Sequence, residues 1–430
     1  MLAIWGIITI VVLLLLIMSK KMIPVMALII VPVLTALFAG FGPQLGEFML
    51  DGIQSISGTG VMFIFAVLFF GVLNDAGTFD PIIRGILKVV GKDPVKIAVG
   101  MAILAMFIHL DGSGAVTFLV VVPAFLPIFE KLNMRRSTLA TIVAIAAGAN
   151  ILPWSGPVIR AASALEADSP MSFYGTMFIP VCIGMVAAIV ISGYLGLREK
   201  RRLIAEGGFE EIEFDHTEFS TASEFARPKM FIPNLILIIV AIATIISGVL
   251  PPAAVFMIAF CLALLVNYRT PAEQNQRIKA HGNEALTMAS VLFAAGSFTG
   301  IMTNSGMITA MADGLVSIVP ASMAGSLPLV VGILAMPMSL LFDPDSFYFG
   351  ILPVLASTAA QVGVDPLSVG HAAIVGQMTT GFPISPLTPA TFLLIGLVGI
   401  DLGEHQRKTI PWAYLVSIII LVSGLITGAI

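Results

Sequence analysis

Apolar runs long enough to cross a lipid bilayer recur along almost the whole chain, beginning with MLAIWGIITIVVLLLLIM at residue 1. In lipid the backbone must satisfy its own hydrogen bonds, so spanning segments are helices or closed barrels, and runs of about 20 apolar residues indicate helices. The composition agrees, because 58% of the residues are hydrophobic and only 11% are charged. The sequence therefore predicts an all-α polytopic membrane protein and gives no support to nucleic-acid binding.

The first apolar run has no basic segment before it and no small-residue cleavage site after it. It therefore predicts an uncleaved spanning helix rather than a signal peptide. Cys182 and Cys261 stand singly in apolar runs, with no second Cys or His at ligand spacing. We therefore expect neither a disulfide framework nor a zinc site, and no tightly bound cofactor.

The positions of Lys and Arg decide which apolar runs cross the membrane. We suppose that 94–130 and 325–360 are re-entrant hairpins from opposite sides, and that 137–165 and 366–400 each cross once as an interrupted helix. All but one of the 21 Lys and Arg residues then lie on one face, and the exception, Arg160, lies within the bilayer. Since basic residues favour the cytoplasmic face, we predict ten crossings of the cell (inner) membrane and both termini outside the cytoplasm.

Three motifs occur twice in the same order, about 230 residues apart, since Ser155 of NILPWSGP matches Ser385 of GFPISPLTP. The other pairs are GVLNDAGTFDPIIRG with GIMTNSGMITAMADG, and LDGSGAVTFLVVVP with LFDPDSFYFGILP. Each half contains an odd number of predicted crossings, so the second copy is inverted. We predict inverted repeats at 1–197 and 230–430, joined by a cytoplasmic linker at 198–229, with scaffold and transport domains. This plan is typical of secondary transporters that alternate access.

Backbone that is not helical at mid-membrane depth must be buried in protein or line water. The hairpin tips and the interruptions at 150–157 and 381–389, rich in Gly, Pro, Ser and Thr, predict four such places. Prolines leave carbonyl oxygens free for cations, and restarted helices present N–H groups to anions. The predicted pocket suits a polycarboxylate that moves together with a cation.

Charged residues inside a membrane are costly and commonly functional. Asp111, Asp343 and Asp345 lie at the predicted hairpin tips and are either helix N-caps or carriers of protons or cations, because burial favours the neutral carboxyl group. Arg160 either pairs with a tip carboxylate or makes a bidentate contact with a substrate carboxylate.

Two histidines, His109 and His371, also lie in membrane-embedded runs. A single His on an apolar helix is either a hydrogen-bonded core residue or, because imidazole titrates near neutrality, part of a proton relay. Both alternatives stay open for each residue.

The chain resembles the CitMHS family of metal-citrate:proton symporters, within the Ion Transporter superfamily, at LDGSGAVTFLV, ANILPWSGPVIRAASAL, DPDSFYFGILPVLA and GQMTTGFPISPLTPATFLL. The resemblance implies proton-driven uptake of citrate with a divalent metal of the Mg or Ca type, and a homodimer in the membrane lipids. The metal belongs to the cargo and meets Asp111 and Asp343 only when metal-citrate is bound. It also implies that carboxylate or metal contacts come from Gly112, Ser113, Gly114, Asn150, Ser155, Ser346, Thr380, Ser385 and Thr388.

Two alternatives remain. The first is a proton- or sodium-coupled transporter of another small carboxylate, although the tips lack the Ser-Asn-Thr signature of sodium-coupled relatives, which favours protons. The second is an intramembrane aspartyl protease in which Asp111 and Asp343 activate water. The segments His109-Leu110-Asp111 and Leu341-Phe342-Asp343 do not match the Gly-x-Gly-Asp tip of such enzymes. We therefore predict a transporter and not an enzyme.

Overall fold

The computed structural model describes residues 1–19, 21–82, 85–86, 91, 93–206, 225–247, 249–316 and 325–430, without the side chains of a few of them, Asp111 included. Most of the predicted linker, 207–224, therefore lies outside the described residues, as do Lys20, Arg84, Lys88 and Lys92. The described residues form helices, turns and bends, with no β-strand among them. This is the all-α architecture that the sequence predicts.

The helices of the first half are α1 (Leu2–Met18), α2 (Pro24–Phe38), α3 (Leu45–Asp75), α4 (Pro94–Ile108), α5 (Gly114–Lys131), α6 (Arg136–Ala149), α7 (Gly156–Ala164), α8 (Pro170–Gly175) and α9 (Phe178–Ala205). Those of the second half are α10 (Phe231–Ser247), α11 (Pro252–Asn267), α12 (Pro271–Asn304), α13 (Met307–Val316), α14 (Leu327–Met338), α15 (Leu352–Gln361), α16 (Pro366–Ile374), α17 (Pro389–Val398) and α18 (Leu402–Thr427). A π-helical turn, Ser346–Ile351, leads into α15.

The two halves present their elements in the same order. Helices of 17, 15 and 31 residues open the first half, and helices of 17, 16 and 34 residues open the second. In each half, two helices joined by a short connecting segment, an interrupted helix and a long helix follow, and the short helices α8 and α13 are additional. We call α4–α5 hairpin 1 and α14–α15 hairpin 2.

Six helical segments of the described chain are long and apolar enough to cross a membrane, and several shorter apolar helices lie between them. Many large apolar side chains on α1, α9 and α10 are exposed, such as Val190, which is 65% exposed. A surface of this kind is suited to lipid rather than water. The predicted ten crossings and the orientation of the termini stay predictions.

The longest helices, α3 and α12, pack against each other along their length. A β-carbon added to Gly52 would lie 2.0 Å from the Gly296 carbonyl oxygen, and one on Gly300 would lie 2.1 Å from the Phe48 carbonyl oxygen. Small residues four apart allow this close approach of helix backbones in membranes. α2 and α11 pack on the same pair of helices.

The remaining helices surround the two interrupted helices. The helix α6 packs against α4, α5, α9 and α18, and α5 also packs against α17. The helix α16 contacts both α14 and α15. Contacts of α7 with α3 and α12 join this group to the long pair. The interruptions of α6–α7 and α16–α17 therefore lie inside the bundle.

Candidate functional site

Three non-helical segments meet around one cavity of about 180 Å³. They are the tip of hairpin 1 (109–113), break 1 between α6 and α7 (150–155), and break 2 between α16 and α17 (375–388). The lining residues are Phe63, His109, Gly112, Gly114, Ala147, Gly148, Asn150, Ile151, Ser155, Gly156, Pro157, Met378, Thr379 and Phe382. The sequence predicts binding elements at both hairpin tips and at 150–157 and 381–389. In the structure the second break begins six residues earlier, at 375, and the tip of hairpin 2 does not line this cavity.

Two side chains of break 1 form hydrogen bonds with hairpin 1. The Asn150 side-chain amide donates to the Met106 carbonyl oxygen at 2.6 Å, and the indole N–H of Trp154 donates to the Leu110 carbonyl oxygen at 2.8 Å. Pro157 lies in the first turn of α7, where its missing N–H costs no helical hydrogen bond. The end of α6 and the start of α7 are thereby held against the tip.

Break 2 closes the cavity from the other half of the chain. A β-carbon on Gly148 would lie 2.8 Å from the Thr380 α-carbon, and one on Gly114 would lie 2.4 Å from the Phe382 ring. The rings of His109 and Phe382 are stacked, with centroids 5.8 Å apart. The two interrupted helices therefore touch at their breaks, and both contribute to one cavity.

Two helices begin at this cavity. The first four N–H groups of a helix lack partners within the helix, and this end carries a partial positive charge. Gly114, the first residue of α5, and Gly156, the first residue of α7, both line the cavity. The Ser155 hydroxyl is buried there, has no hydrogen-bond partner among the residues that the structure describes, and makes no cap contact with its own helix. These groups together can hold an anion.

Two other helices end at the same place. α4 ends at Ile108 and α6 at Ala149, and the residues that follow them, His109 and Asn150, line the cavity. The carboxyl end of a helix carries a partial negative charge and has carbonyl oxygens without helical partners. The cavity can therefore accommodate a cation beside an anion.

The carboxylate of Asp343 caps the tip of hairpin 2. Its oxygens accept the N–H groups of Asp345 at 3.0 Å and Ser346 at 3.1 Å and the Ser346 hydroxyl at 2.5 Å. The capping role considered from the sequence is thus visible in the structure, and a role in proton coupling stays a prediction. The side chain of Asp111 lies outside the described part of the chain, whose backbone places this residue at the tip of hairpin 1.

Arg160 and Asp345 form a buried ion pair. The guanidinium Nε lies 2.6 Å from the carboxylate Oδ1, and the two side chains are 7% and 9% exposed. Of the two roles considered for Arg160, the structure shows pairing with a tip carboxylate. This pair joins α7 of the first half to hairpin 2 of the second.

Hydroxyl groups of break 2 bond within the protein. The Ser385 hydroxyl donates to the Ser339 carbonyl oxygen at 2.5 Å, and the Thr388 hydroxyl donates to the Phe382 carbonyl oxygen at 2.7 Å. Thr380 is buried, and its hydroxyl lies 3.4 Å from the Val375 carbonyl oxygen. These predicted contact residues do not line the cavity.

The other predicted residues differ in their surroundings. His109 lines the cavity, with its Nδ1 2.9 Å from the Thr117 hydroxyl. His371 lies elsewhere, with ring nitrogens 2.8 Å from the carbonyl oxygens of Ala429 and Phe173. Ser113 is the N-cap residue of α5.

Sequence reasoning missed a polar network between hairpin 2 and break 2. The Ser339 hydroxyl accepts the Met378 N–H at 2.8 Å and lies 3.1 Å from Gln377 Oε1. The Tyr348 hydroxyl donates to the Gln377 carbonyl oxygen at 2.7 Å. A polar residue such as Ser339, directly after the apolar helix α14, was the available signal. No group of three or more His, Cys, Asp or Glu within the described ranges could hold a metal ion.

The apolar helices of this fold define an integral membrane protein. Two solved transporters share the fold, with a TM-score of 0.65 each: YdaH of Alcanivorax borkumensis, 16% identical, covering 91% of this chain and 89% of that one, and MtrF of Neisseria gonorrhoeae, 14% identical, covering 90% and 84%.

The family model of the CitMHS citrate transporters matches residues 13–376, and the chain belongs to this family. Its relatives in Bacillus subtilis (strain 168) include a citrate transporter, 41% identical over 100% of both chains. A second is a Mg(2+)/citrate complex secondary transporter, 39% identical over 100% of this chain and 99% of that one. The predicted family is thus confirmed, and the protein is a transporter rather than a protease.

Proposed function

We propose that this protein is a proton-coupled symporter that takes up citrate as a complex with a divalent metal, and that the cavity between hairpin 1 and the two breaks is its substrate site. The observation that carries the proposal is that two helix N-termini meet at one cavity with the Ser155 hydroxyl, which is unpaired among the described residues. Membership of the citrate transporter family supports the cargo.

The cavity matches a carboxylate better than a neutral molecule. A carboxylate can accept hydrogen bonds from the N–H groups at Gly114 and Gly156 and from the Ser155 hydroxyl. These donors can bind it without a neighbouring basic side chain. Gly112 has φ +76°, so a side chain there would be strained, and its backbone stays close to Ser155 and Trp154. We place the citrate carboxylates beside these donors.

The metal is proposed as part of the cargo. Citrate oxygens are hard donors that suit Mg²⁺ or Ca²⁺, and the remaining charge of the ion can interact with the carboxyl ends of α4 and α6. The relative named as a Mg(2+)/citrate complex transporter supports this assignment. The tip carboxylates Asp111 and Asp343 are the proposed protein ligands of the metal when the complex is bound. In the structure the Asp343 carboxylate bonds within the tip of hairpin 2 and does not line the cavity, so its proposed contact with the metal requires that hairpin 2 move toward the cavity during transport.

Alternating access is proposed to follow from the matched order of elements in the two halves. If the halves are inverted repeats, hairpin 1 and hairpin 2 enter from opposite sides, and the hairpins with the interrupted helices move as the transport domain. α3 and α12, together with α1, α2, α10 and α11, would then be the scaffold. A homodimer through the scaffold is part of this proposal.

Uptake of labelled citrate into proteoliposomes tests the proposal. We expect uptake to require Mg²⁺ or Ca²⁺ and to be accelerated by an inward proton gradient at constant membrane potential. Uptake that responds to neither the metal nor the gradient would contradict symport of the complex. Competition by a panel of dicarboxylates and gluconate-like acids tests the alternative cargo, since a preferred competitor would replace citrate as the substrate.

Asp343→Asn separates capping from proton coupling. Asn caps helices about as well as Asp but does not carry a proton, so we expect normal insertion and loss of gradient-driven uptake. The matched control is Asp365→Asn, because the Asp365 carboxylate also caps a helix, accepting the Leu367 N–H at 3.0 Å, but is exposed. Gradient-driven uptake by Asp343→Asn at the level of the control would leave Asp343 a cap alone. Asp111→Asn tests the first tip in the same way.

A further inference from the structure

A second polar recess lies at the opposite end of α6 from break 1, where α6 and α18 begin and α9 ends. Its volume is about 180 Å³. It is lined by Arg135, Ser137, Thr138, Thr141, Leu195, Arg198, Glu199, Arg202, Lys408 and Trp412. Four of these side chains are basic and one is acidic, so the recess is strongly cationic.

The charge of the acidic residue, Glu199, is balanced by Arg202. The Glu199 carboxylate accepts Arg202 Nη2 at 2.9 Å and the Thr138 hydroxyl at 2.9 Å. Arg135, Arg198 and Lys408 are exposed, and their side chains have no acidic partner among the residues that the structure describes. Three positive charges therefore face the recess, available for an anion.

An apolar groove continues from this recess. It has a volume of about 440 Å³ and is lined by Pro411, Trp412, Tyr414, Leu415 and Ile418, so Trp412 belongs to both sites. From Lys408 to Ile418 the helix rises about 15 Å, and its side chains change from basic through aromatic to aliphatic.

The neighbouring face of α9 shows the same change of side chains, from aliphatic through aromatic to basic, toward the recess. Val186 and Val190 are 60% and 65% exposed, Tyr194 is 48% exposed, and Arg198 follows one turn later. The Tyr194 ring lies 5.7 Å from the Trp412 ring. Aromatic side chains favour the boundary between headgroups and acyl chains, so the two rings mark this boundary.

We propose that the recess and the groove together bind one anionic phospholipid. Arg135, Arg198 and Lys408 hold its phosphate, and an acyl chain lies below Trp412 along Leu415 and Ile418. A soluble phosphate would fill the recess only, whereas a lipid covers both sites and passes the aromatic boundary between them. The lipid thereby joins the ends of α6, α9 and α18, and the opposite end of α6 lines the transport cavity.

Quenching of tryptophan fluorescence by lipids with brominated acyl chains tests this proposal on the full chain. The chain has three tryptophans, Trp5, Trp154 and Trp412, of which Trp154 is buried. The protein with Trp5→Phe is reconstituted in phosphatidylcholine, so that the fluorescence that brominated lipid can quench comes from Trp412. The variant that also carries Trp412→Phe gives the quenching of the remaining tryptophan, which is subtracted. We expect half-maximal quenching at a roughly tenfold lower mole fraction of brominated phosphatidylglycerol than of brominated phosphatidylcholine.

Matched charge removals separate this site from general surface attraction. Arg198→Gln with Lys408→Gln should reduce the preference to about twofold or less, because both removed cations line the recess. Arg201→Gln with Arg407→Gln removes two exposed cations from the same two helices outside the recess and should keep the preference. Size-exclusion profiles of the variants check folding.

Three results would overturn the proposal. The first is equal quenching by the two lipids, and the second is an equal loss of preference in both charge-removal pairs. The third is displacement of the brominated phosphatidylglycerol by millimolar glycerol phosphate, which would assign the recess to a soluble anion. None of these measurements depends on citrate transport.

Discussion

The two interrupted helices carry a serine at matched positions, and the two hydroxyl groups have different surroundings. Ser155 Oγ is buried beside the cavity and has no partner in the described part of the chain. Ser385 Oγ donates to the Ser339 carbonyl oxygen at 2.5 Å and accepts the Leu387 N–H at 3.1 Å. A polar group buried without a partner is costly unless a ligand or water completes it. The first break thus leaves a hydroxyl donor at the proposed substrate site, and the second uses its hydroxyl donor within the protein.

The hairpin tips show the same contrast. At hairpin 1 the glycines Gly112 and Gly114 line the cavity directly. At hairpin 2 the Asp343 carboxylate bonds within its own tip and Asp345 pairs with Arg160. Equivalent positions in two similar halves can therefore be divided between binding and support. Variants of the two halves test this division.

The largest effect is expected from Asp345→Ala, on the supporting side. It would leave Arg160 as a buried charge without its partner, a change that typically costs about 3–5 kcal/mol. We expect a large fall in the Tm of the purified protein, together with loss of citrate uptake.

A double variant shows whether the cost comes from the unpaired charge. In Arg160→Met with Asp345→Leu no charge is left behind, so most of the lost stability should return. Tm near wild type in the single variant Asp345→Ala would show that the pair is not a support. Arg160 would then be free to bind substrate, the alternative that the sequence left open.

The next effect concerns the contact between the two breaks. In Gly148→Ala the new methyl group would lie 2.8 Å from the Thr380 α-carbon and 3.0 Å from the Thr379 carbonyl oxygen, so backbone must shift. Overpacking of this kind costs about 1–3 kcal/mol. We expect a lower Tm and reduced citrate uptake, because the cavity lies at this contact.

Gly58→Ala is the matched control. Gly58 lies in the helix α3, and a β-carbon there would have no atom of another described element within 4 Å. Alanine favours helix over glycine by about 1 kcal/mol, so Tm should stay level or rise. A similar change of Tm and citrate uptake in Gly148→Ala and Gly58→Ala would show that the contact between the breaks is not the cause.

A smaller and opposite pair of effects should distinguish Ser155 from Ser385. Ser155→Ala removes a hydroxyl without a protein partner, so Tm should hardly change while the KM for citrate rises about tenfold or more, since hydrogen bonds to charged groups contribute about 1.5–3 kcal/mol. Ser385→Ala leaves the Ser339 carbonyl oxygen without its donor and should cost about 1–3 kcal/mol of stability with little change in KM. The reverse outcome, a KM effect at Ser385 alone, would exchange the roles of the two breaks.

Local patterns in the sequence predicted the elements but not all their contacts. Gly112 and Ser113 marked the tip of hairpin 1 between helices that the structure places at Pro94–Ile108 and Gly114–Lys131. The pairing of Arg160 with Asp345 joins residues 185 positions apart, and no local pattern selects Asp345 over Asp343 as the partner. Which of two matched serines keeps a free hydroxyl likewise depends on tertiary packing, because the motifs around both are similar.

The smallest effect is expected at the end of hairpin 1 that lies away from its tip. Asp93 caps α4, and its carboxylate lies 2.7 Å from Lys200 Nζ on α9. In hairpin 2, by contrast, the N-cap residue of α14, Ser326, makes no side-chain cap bond to the described residues. Burial raises the pKa of Asp93, but the hydrogen bonds from Lys200 and Val95 outweigh it and hold the pKa below its ordinary value of 3.8.

A lowered pKa in the folded protein means that the ionised Asp93 stabilises hairpin 1 at pH values above about 4, and that this contribution is lost as the pH falls further. Asp93→Asn keeps the cap but removes the charge, so its Tm should fall less steeply than that of the wild type under acid conditions, with a small difference at neutral pH because the pair is partly exposed. Asp401→Asn is the control, since Asp401 caps α18 through the Glu404 N–H and has no basic partner among the described residues. Parallel acid profiles for the wild type and Asp93→Asn would show that this anchor does not set hairpin 1 apart from hairpin 2.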